Sequence, residues 1–176
     1  MDEIIDIVDD KDNVIGNEFR LKCHADKILH RGVTILIFED ESFSKVLIQK
    51  RSMKKISNPG KLCPPGGHLS SGDEYIEGAK RELQEEEFYN QELPQQITLE
   101  KLYNMKIFTV DDYEFHEVYR VIYPGPFSHN PEEVEDSYFV EINQLIEDIE
   151  KNPQNYTCMT ALNIREYNKR YLSKLL

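Results

Sequence analysis

No stretch of the sequence approaches the ~18–20 consecutive apolar residues of a bilayer-crossing helix. Its acidic opening, MDEIIDIVDDKDNVIG, lacks both the basic segment and the apolar run of a secretory signal. No membrane role is therefore expected. C-x-x-C is also missing, and the three cysteines (Cys23, Cys63, Cys158) are odd in number and widely spaced, which suits a reducing compartment better than a disulfide framework. Cytoplasmic residence is the expectation. A basic patch is absent too: 21 Lys and Arg face 33 Asp and Glu, for a net charge of -12 and a pI near 4.9. Such a balance repels long nucleic acid and leaves room for a small anion bridged by a cation. There is no internal repeat or low-complexity tract.

What remains is a chain of 176 residues, 39% hydrophobic, with ten Tyr and eight Phe. That is enough for one folded domain over 1–176 with a sizeable core. IIDIVDDKDNVIGNEF reads as a hairpin closing at Gly16, and VTILIFED and KVLIQKR as β-branched strands joined by a loop. In SNPGKLCPPGG, Pro and Gly argue against regular structure. An acidic helix then runs from about Gly72–Glu74 to Glu87, where acidic residues favour its positive end. Strands LEKLYNMKIFTV and EFHEVYRVIYPG, a loop PFSHNPEE and a short strand SYFVE follow. Two helices close the chain. One spaces Ile142, Leu145, Ile146 and Ile149, the other Leu162, Tyr167, Tyr171 and Leu175. Strands outnumber helices without strict alternation, so the expected class is α/β, a mixed sheet packed between helices.

The chemistry concentrates in GGHLSSGDEYIEGAKRELQEEEFY, residues 66–89. At about 100° per residue, Ile76, Ala79 and Leu83 form a stripe to bury. Glu82, Glu85 and Glu86, spaced i, i+3, i+4, gather on a neighbouring face. Glu-rich helical runs are ordinarily solvated surface. Three adjacent carboxylates nevertheless repel one another unless a cation sits among them, and hard oxygen ligands suit Mg²⁺ or Mn²⁺. Arg81, four residues before Glu85, can orient that carboxylate. Gly66 and Gly67 let backbone approach a ligand closely where a Cβ would obstruct it.

This stretch resembles the Nudix signature G-x5-E-x7-R-E-U-x-E-E-x-G-U, U being a bulky aliphatic residue. Gly67, Arg81, Glu82, Glu85 and Glu86 match at their spacing, while Asp73 replaces the first Glu and Phe88 the second Gly. The resemblance implies an α/β/α sandwich around a mixed sheet and Mg²⁺ (or Mn²⁺) held by Glu82, Glu85, Glu86 and the Gly67 carbonyl. It also implies structural support of Arg81 by Asp73, and hydrolysis of a small-molecule diphosphate. Asp73 shortens the reach to Arg81, and without a glycine at 88 the helix needs another terminator, for which Asn90 is placed.

Over nearly the whole chain the sequence looks like the Nudix branch similar to isopentenyl-diphosphate isomerase. That resemblance places cations Arg51 and Lys55 against a diphosphate and raises a zinc or manganese site at His24, His30 and His68. It also exposes a mismatch. The isomerase's proton-transfer cysteine falls at Gly66, and its strand glutamates fall at Phe115 and Glu117. Cys63 reads as a packed thiol. Glu86, Glu117 and Glu133 are candidates for the general base, with Glu117 equally able to pair with a lysine at the core's edge. His116 and His129 fall in no motif, and Tyr113, Tyr119 and Tyr123 read as core or as stacking surfaces. Hydrolase is the leading expectation, with the isomerase and a non-catalytic nucleotide-binding module as alternatives and a homodimer left open.

Overall fold

The computed structural model describes residues 2–109 and 112–173. Its architecture is α/β, helices packed on a mixed sheet, and the chain folds as two compact units that interleave in sequence.

The first unit takes Met1–Ile35, Gly66–Leu83 and Leu99–Arg120. It opens with the expected hairpin, β1 (Ile4–Val8) and β2 (Val14–Phe19), antiparallel with Ile4 opposite Phe19. The turn is fixed by Asp9, whose Oδ1 accepts the amides of Lys11 and Asn13, and by Asp12 in the left-handed region at φ 65°. A helix that the periodicity did not reveal, α1 (Arg20–Asp26), follows at once and stops at Lys27, φ 55°. Only Cys23 of its seven residues is buried, so it carries no apolar stripe to read. Next comes β3 (His30–Phe38), buried almost throughout, as its β-branched run requires.

The Pro/Gly segment is more regular than expected. It forms two short strands, β5 (Leu62–Cys63) and β6 (Gly66–His68), the latter antiparallel to β3 with Gly67 opposite Val33. Glycine permits this: Gly66 has φ +147°, and a Cβ there would sit 2.2 Å from the Val33 carbonyl oxygen. The acidic helix α2 (Tyr75–Glu87) begins in this unit, with Ala79 and Leu83 fully buried and Ile76 partly so. β7 (Glu100–Phe108) and β8 (Tyr113–Ile122) complete it as an antiparallel pair. Val110, at the end of the expected strand, lies outside the described residues.

The second unit takes Leu36–Pro65, Gln84–Thr98 and Val121–Leu176. Its centre is β4 (Lys45–Arg51), flanked by β5 and by β9 (Val134–Glu141). β9 begins earlier than the short strand expected at 137, because Val134 is buried and paired with Arg51. Helix α2 ends here, and Asn90 takes the left-handed conformation (φ 60°) in place of the missing glycine. α3 (Ile142–Lys151) buries Ile142, Leu145 and Ile149. α4 (Cys158–Tyr167) starts earlier than expected, where Thr157 caps it by accepting the Thr160 amide at 3.1 Å. Its buried face is Thr160, Asn163, Ile164 and Tyr167 rather than one centred on Leu162, and Leu175 lies outside the described residues. Among the described residues no helix is long and apolar enough to cross a membrane.

Candidate functional site

In the first unit, the start of α2 and the β6 backbone are locked together by Arg81. Its Nη2 donates to the His68 carbonyl (2.7 Å), Nη1 to Glu82 Oε1 (2.8 Å) and Nε to Asp73 Oδ2 (3.3 Å). The shorter acid at 73 therefore reaches the guanidinium after all, at the long end of hydrogen-bond range. Glu82 lies against Gly67, where a Cβ would come within 2.4 Å of Oε2. A glycine at that position is what allows the carboxylate to approach the main chain.

In the second unit, the last turn of α2 carries three consecutive glutamates with different surroundings. Glu85 is exposed. Glu86 is 4% exposed and its Oε2 accepts from Gln49 Nε2 (3.1 Å). Glu87 is fully buried, accepts from Ser137 Oγ (3.1 Å) and stands 3.2 Å from His129 Nε2. Burial pushes the Glu87 carboxyl up to about 7, against a weaker downward pull from the Ser137 hydrogen bond. Sequence spacing did not single out Glu87, since a charged side chain at a core position has no periodic signal.

The other two candidate bases are already engaged. Glu117 is ion-paired with Lys101 and accepts from the Tyr119 hydroxyl (2.6 Å). That is the core-edge lysine pair raised from the sequence. Glu133 is ion-paired with Lys55, so a candidate base and a candidate substrate cation hold each other. Arg51 donates to the Ser57 carbonyl from Nη2 (3.2 Å), and Cys63 is buried, its thiol pushed up to about 11 by desolvation.

A separate cluster gathers in the first unit. The rings of His24, His30 and His68 lie 4.9 to 5.1 Å apart between centroids. Glu114 faces them, with Oε1 3.3 Å from His68 Nε2 and 3.7 Å from His30 Nε2. Glu114 Oε2 also meets His116 Nδ1 at 2.7 Å, and His116 Nε2 meets Thr34 Oγ1 at 2.8 Å, so both His116 nitrogens are occupied. Gly32 makes room, because a Cβ there would lie 2.2 Å from Glu114 Oε2. The resemblance had placed the strand pair at Phe115 and Glu117, with His116 in no motif. In the structure it is Glu114, one residue before Phe115, that faces the histidines, with His116 beside it; neighbouring residues on a strand point to opposite faces. The alternation Glu114-x-His116 was the available signal.

The electrostatics of the cluster follow from its burial and the facing carboxylate. Burial drives His30 down to about 4, so it is neutral at pH 7, and its Nε2 is buried without a hydrogen bond. Burial works against charge on His68, but the Glu114 carboxylate outweighs it and raises His68. Glu114, although buried, is held well below the carboxylate range by His116 and His68. An orphaned imidazole nitrogen beside two further imidazoles and a carboxylate fits a borderline cation such as Zn²⁺ or Mn²⁺. The carboxylates of α2 fit a hard one such as Mg²⁺.

Comparison with known proteins gives the family and the fold. An isopentenyl-diphosphate Δ-isomerase of Serratia proteamaculans is 30% identical over 161 residues, covering 89% of this chain and 87% of that protein. An uncharacterised Nudix hydrolase of Yersinia pestis is 39% identical over 85 residues, 48% of this chain and 46% of its own length. A crystal structure from Deinococcus radiodurans shares the fold, with TM-score 0.78 at 23% identity over 93% of this chain and 98% of that one. The NUDIX domain profile matches residues 28–162, and with Arg81, Glu82, Glu85 and Glu86 in place on α2 the chain belongs to the Nudix family.

Proposed function

We propose that the chain is a Mg²⁺-dependent hydrolase that cleaves the diphosphate linkage of a nucleoside-diphosphate-linked or similar small molecule. The observation that carries this reading over proton transfer is Gly66. It occupies the position of the isomerase's cysteine at φ +147°, with the Val33 carbonyl oxygen 2.2 Å from where a Cβ would be. No side chain fits there without a backbone shift, and the thiol nearest in sequence, Cys63, is buried with its pKa raised.

Glu82, Glu85 and Glu86, with the Gly67 carbonyl, would hold Mg²⁺, or Mn²⁺ in its stead. Bound there, the cation supplies charge neutralisation at phosphate oxygens and a more acidic water. Arg81 and Asp73 fix the Glu82 carboxylate. Glu86 ranks first as general base, because Glu117 and Glu133 are each committed to a lysine. Arg51 and Lys55 take the substrate's phosphates, Glu133 being the anion they displace from Lys55. The three free cysteines suit a cytoplasmic enzyme.

The experiment is a Mg²⁺-dependent phosphate and pyrophosphate release screen across nucleoside triphosphates, nucleotide sugars, dinucleotides and isoprenyl diphosphates. Glu86→Gln is run beside the wild type. Cleavage of one class, lost in the variant, is the expected result.

A second reading, the isomerase, is favoured by one observation, the histidine cluster with Glu114 that the isomerase-like branch also implies. Isomerisation of isopentenyl diphosphate without cleavage of any substrate would establish it, and ligand binding without turnover would establish the non-catalytic module.

A further inference from the structure

The histidine cluster meets a second carboxylate that the resemblance does not include. Asp112 stands two residues before Glu114, and alternate residues of an extended chain share a face. Carboxylate oxygens of Asp112 and Glu114 and a ring nitrogen of His68 accordingly lie within 4.8 Å of one another. Asp112 Oδ1 is also 3.5 Å from His24 Nδ1. Ring nitrogens of His24, His30 and His68 form another trio within the same 4.8 Å, so His68 is common to both. Two donors of one ion lie at most about 4.4 Å apart, twice a ~2.2 Å bond. Small side-chain adjustments therefore bring either trio onto an ion.

The main chain fixes Asp112 in place: its amide donates to Thr109 Oγ1 (2.9 Å) and its carbonyl accepts the Thr109 amide (2.8 Å). His116, the next residue of the same face, is not available as a ligand, since Glu114 and Thr34 occupy both its nitrogens. At the buried end of the cluster the orphaned His30 Nε2 calls for a guest. Charge then decides how many carboxylates that guest needs. Imidazoles ligate only when neutral, so Glu114 alone would leave a divalent ion with a net positive charge. His30 and Glu114 are buried, where an uncompensated charge is costly. A second carboxylate removes it, and the ion in turn relieves the repulsion between two carboxylates this close.

We propose that Asp112 is a ligand of the histidine centre, so that a divalent transition ion there is held by His24, His30, His68, Glu114 and Asp112. Three neutral nitrogens and two carboxylates give a centre with no net charge. His116 and Thr34 then hold Glu114 from behind. Asp112 and His24 are more exposed than His30 and Glu114, so the centre opens on their side and Asp112 closes it. Carboxylate oxygens among imidazoles suit Mn²⁺ as well as Zn²⁺.

Mn²⁺ binding to the full chain tests this, read from the electron paramagnetic resonance of the free ion, with excess Mg²⁺ present to fill the carboxylates of α2. The wild type is expected to bind Mn²⁺ under these conditions. Asp112→Asn keeps the side chain's shape and an acceptor for the Thr109 hydroxyl. It is expected to weaken binding by at least ~10-fold, the lower end of what even a supporting contact contributes at a metal site, with an unchanged far-UV circular dichroism spectrum. A charge that does not ligate acts through its field, which ~1 M salt screens beyond about 3 Å. The deficit relative to the wild type is therefore expected to persist in ~1 M salt. No turnover is measured, so the outcome is independent of whether the chain is a hydrolase. A wild type that binds no Mn²⁺ in excess Mg²⁺ overturns the proposal and leaves Asp112 and Glu114 as partners of protonated histidines. So does a folded Asp112→Asn variant that binds like the wild type, or one whose deficit disappears at high salt.

Discussion

Gly67 and Glu82 approach so closely that a Cβ on the glycine would stand 2.4 Å from the Glu82 carboxylate oxygen. The obstacle is the far end of a flexible side chain rather than backbone, so Gly67→Ala is expected to fold normally and to push Glu82 out of place. The consequence falls on the metal: a Mg²⁺ titration of activity should shift ~10–100-fold to higher concentration, the scale of a lost supporting contact at a metal site. An unchanged Mg²⁺ dependence removes Glu82 from the ligand set.

Gly66 behaves oppositely, because its neighbour is the Val33 carbonyl and its φ is +147°. Gly66→Cys is expected to cost roughly 1–3 kcal/mol, a fall in melting temperature of about 2–12 °C for a chain of this size. It should confer no isomerase activity. A variant that melts with the wild type and isomerises isopentenyl diphosphate reverses the assignment made above.

The two embedded glutamates separate base from scaffold. Glu117→Gln removes the partner of Lys101 while keeping an acceptor for Tyr119. Since that ion pair is open on the lysine side, the loss is expected within ~1 kcal/mol of stability and less than about tenfold in kcat. Glu86→Gln is expected to lower kcat by ~10²–10⁴-fold. Equal kinetic losses in the two variants would reopen the choice of base.

Helix α2 was legible in the sequence because its buried stripe, its acidic face and its leading glycines each have a spacing that only a helix uses. The hairpin β1–β2 was legible for the corresponding reason in strands. α1 was not, having one buried residue, nor were β5 and β6, whose prolines and glycines argue for a loop until a partner strand accepts them. The histidine cluster was half visible. His24, His30 and His68 were named from the resemblance, but Glu114, one residue before Phe115 on β8, and His116 beside it were not. A strand's parity is fixed by its partners, and the sequence does not display those. Glu87 shows the same limit, since its burial comes from Ser137 and His129, about fifty and forty residues away.

The histidine cluster predicts a second metal that differs from Mg²⁺. Protein purified without chelator and analysed by elemental mass spectrometry is expected to carry zinc or manganese, and His30→Ala and Glu114→Gln to lose it. Chelation should lower the melting temperature, since a metal bound only by the native state stabilises it by mass action. A wild type with no transition metal after incubation in Zn²⁺ and Mn²⁺ shows instead that the orphaned His30 nitrogen serves packing.

Glu87 sets a pH dependence that runs against the usual carboxylate trend. Its folded pKa of about 7 exceeds the ordinary 4.5, because burial disfavours the charge. On raising the pH, the unfolded chain therefore ionises this group first. Its contribution to stability is complete below about 4.5 and is lost as the pH climbs through 7, at most about 3 kcal/mol from a difference of 7 less 4.5. In urea unfolding of chelated protein, the gap between Glu87→Gln and wild type should widen in the variant's favour from pH 4.5 to 7.5. Parallel stability curves across that range would mean that the native protein carries Glu87 ionised, with His129 protonated beside it.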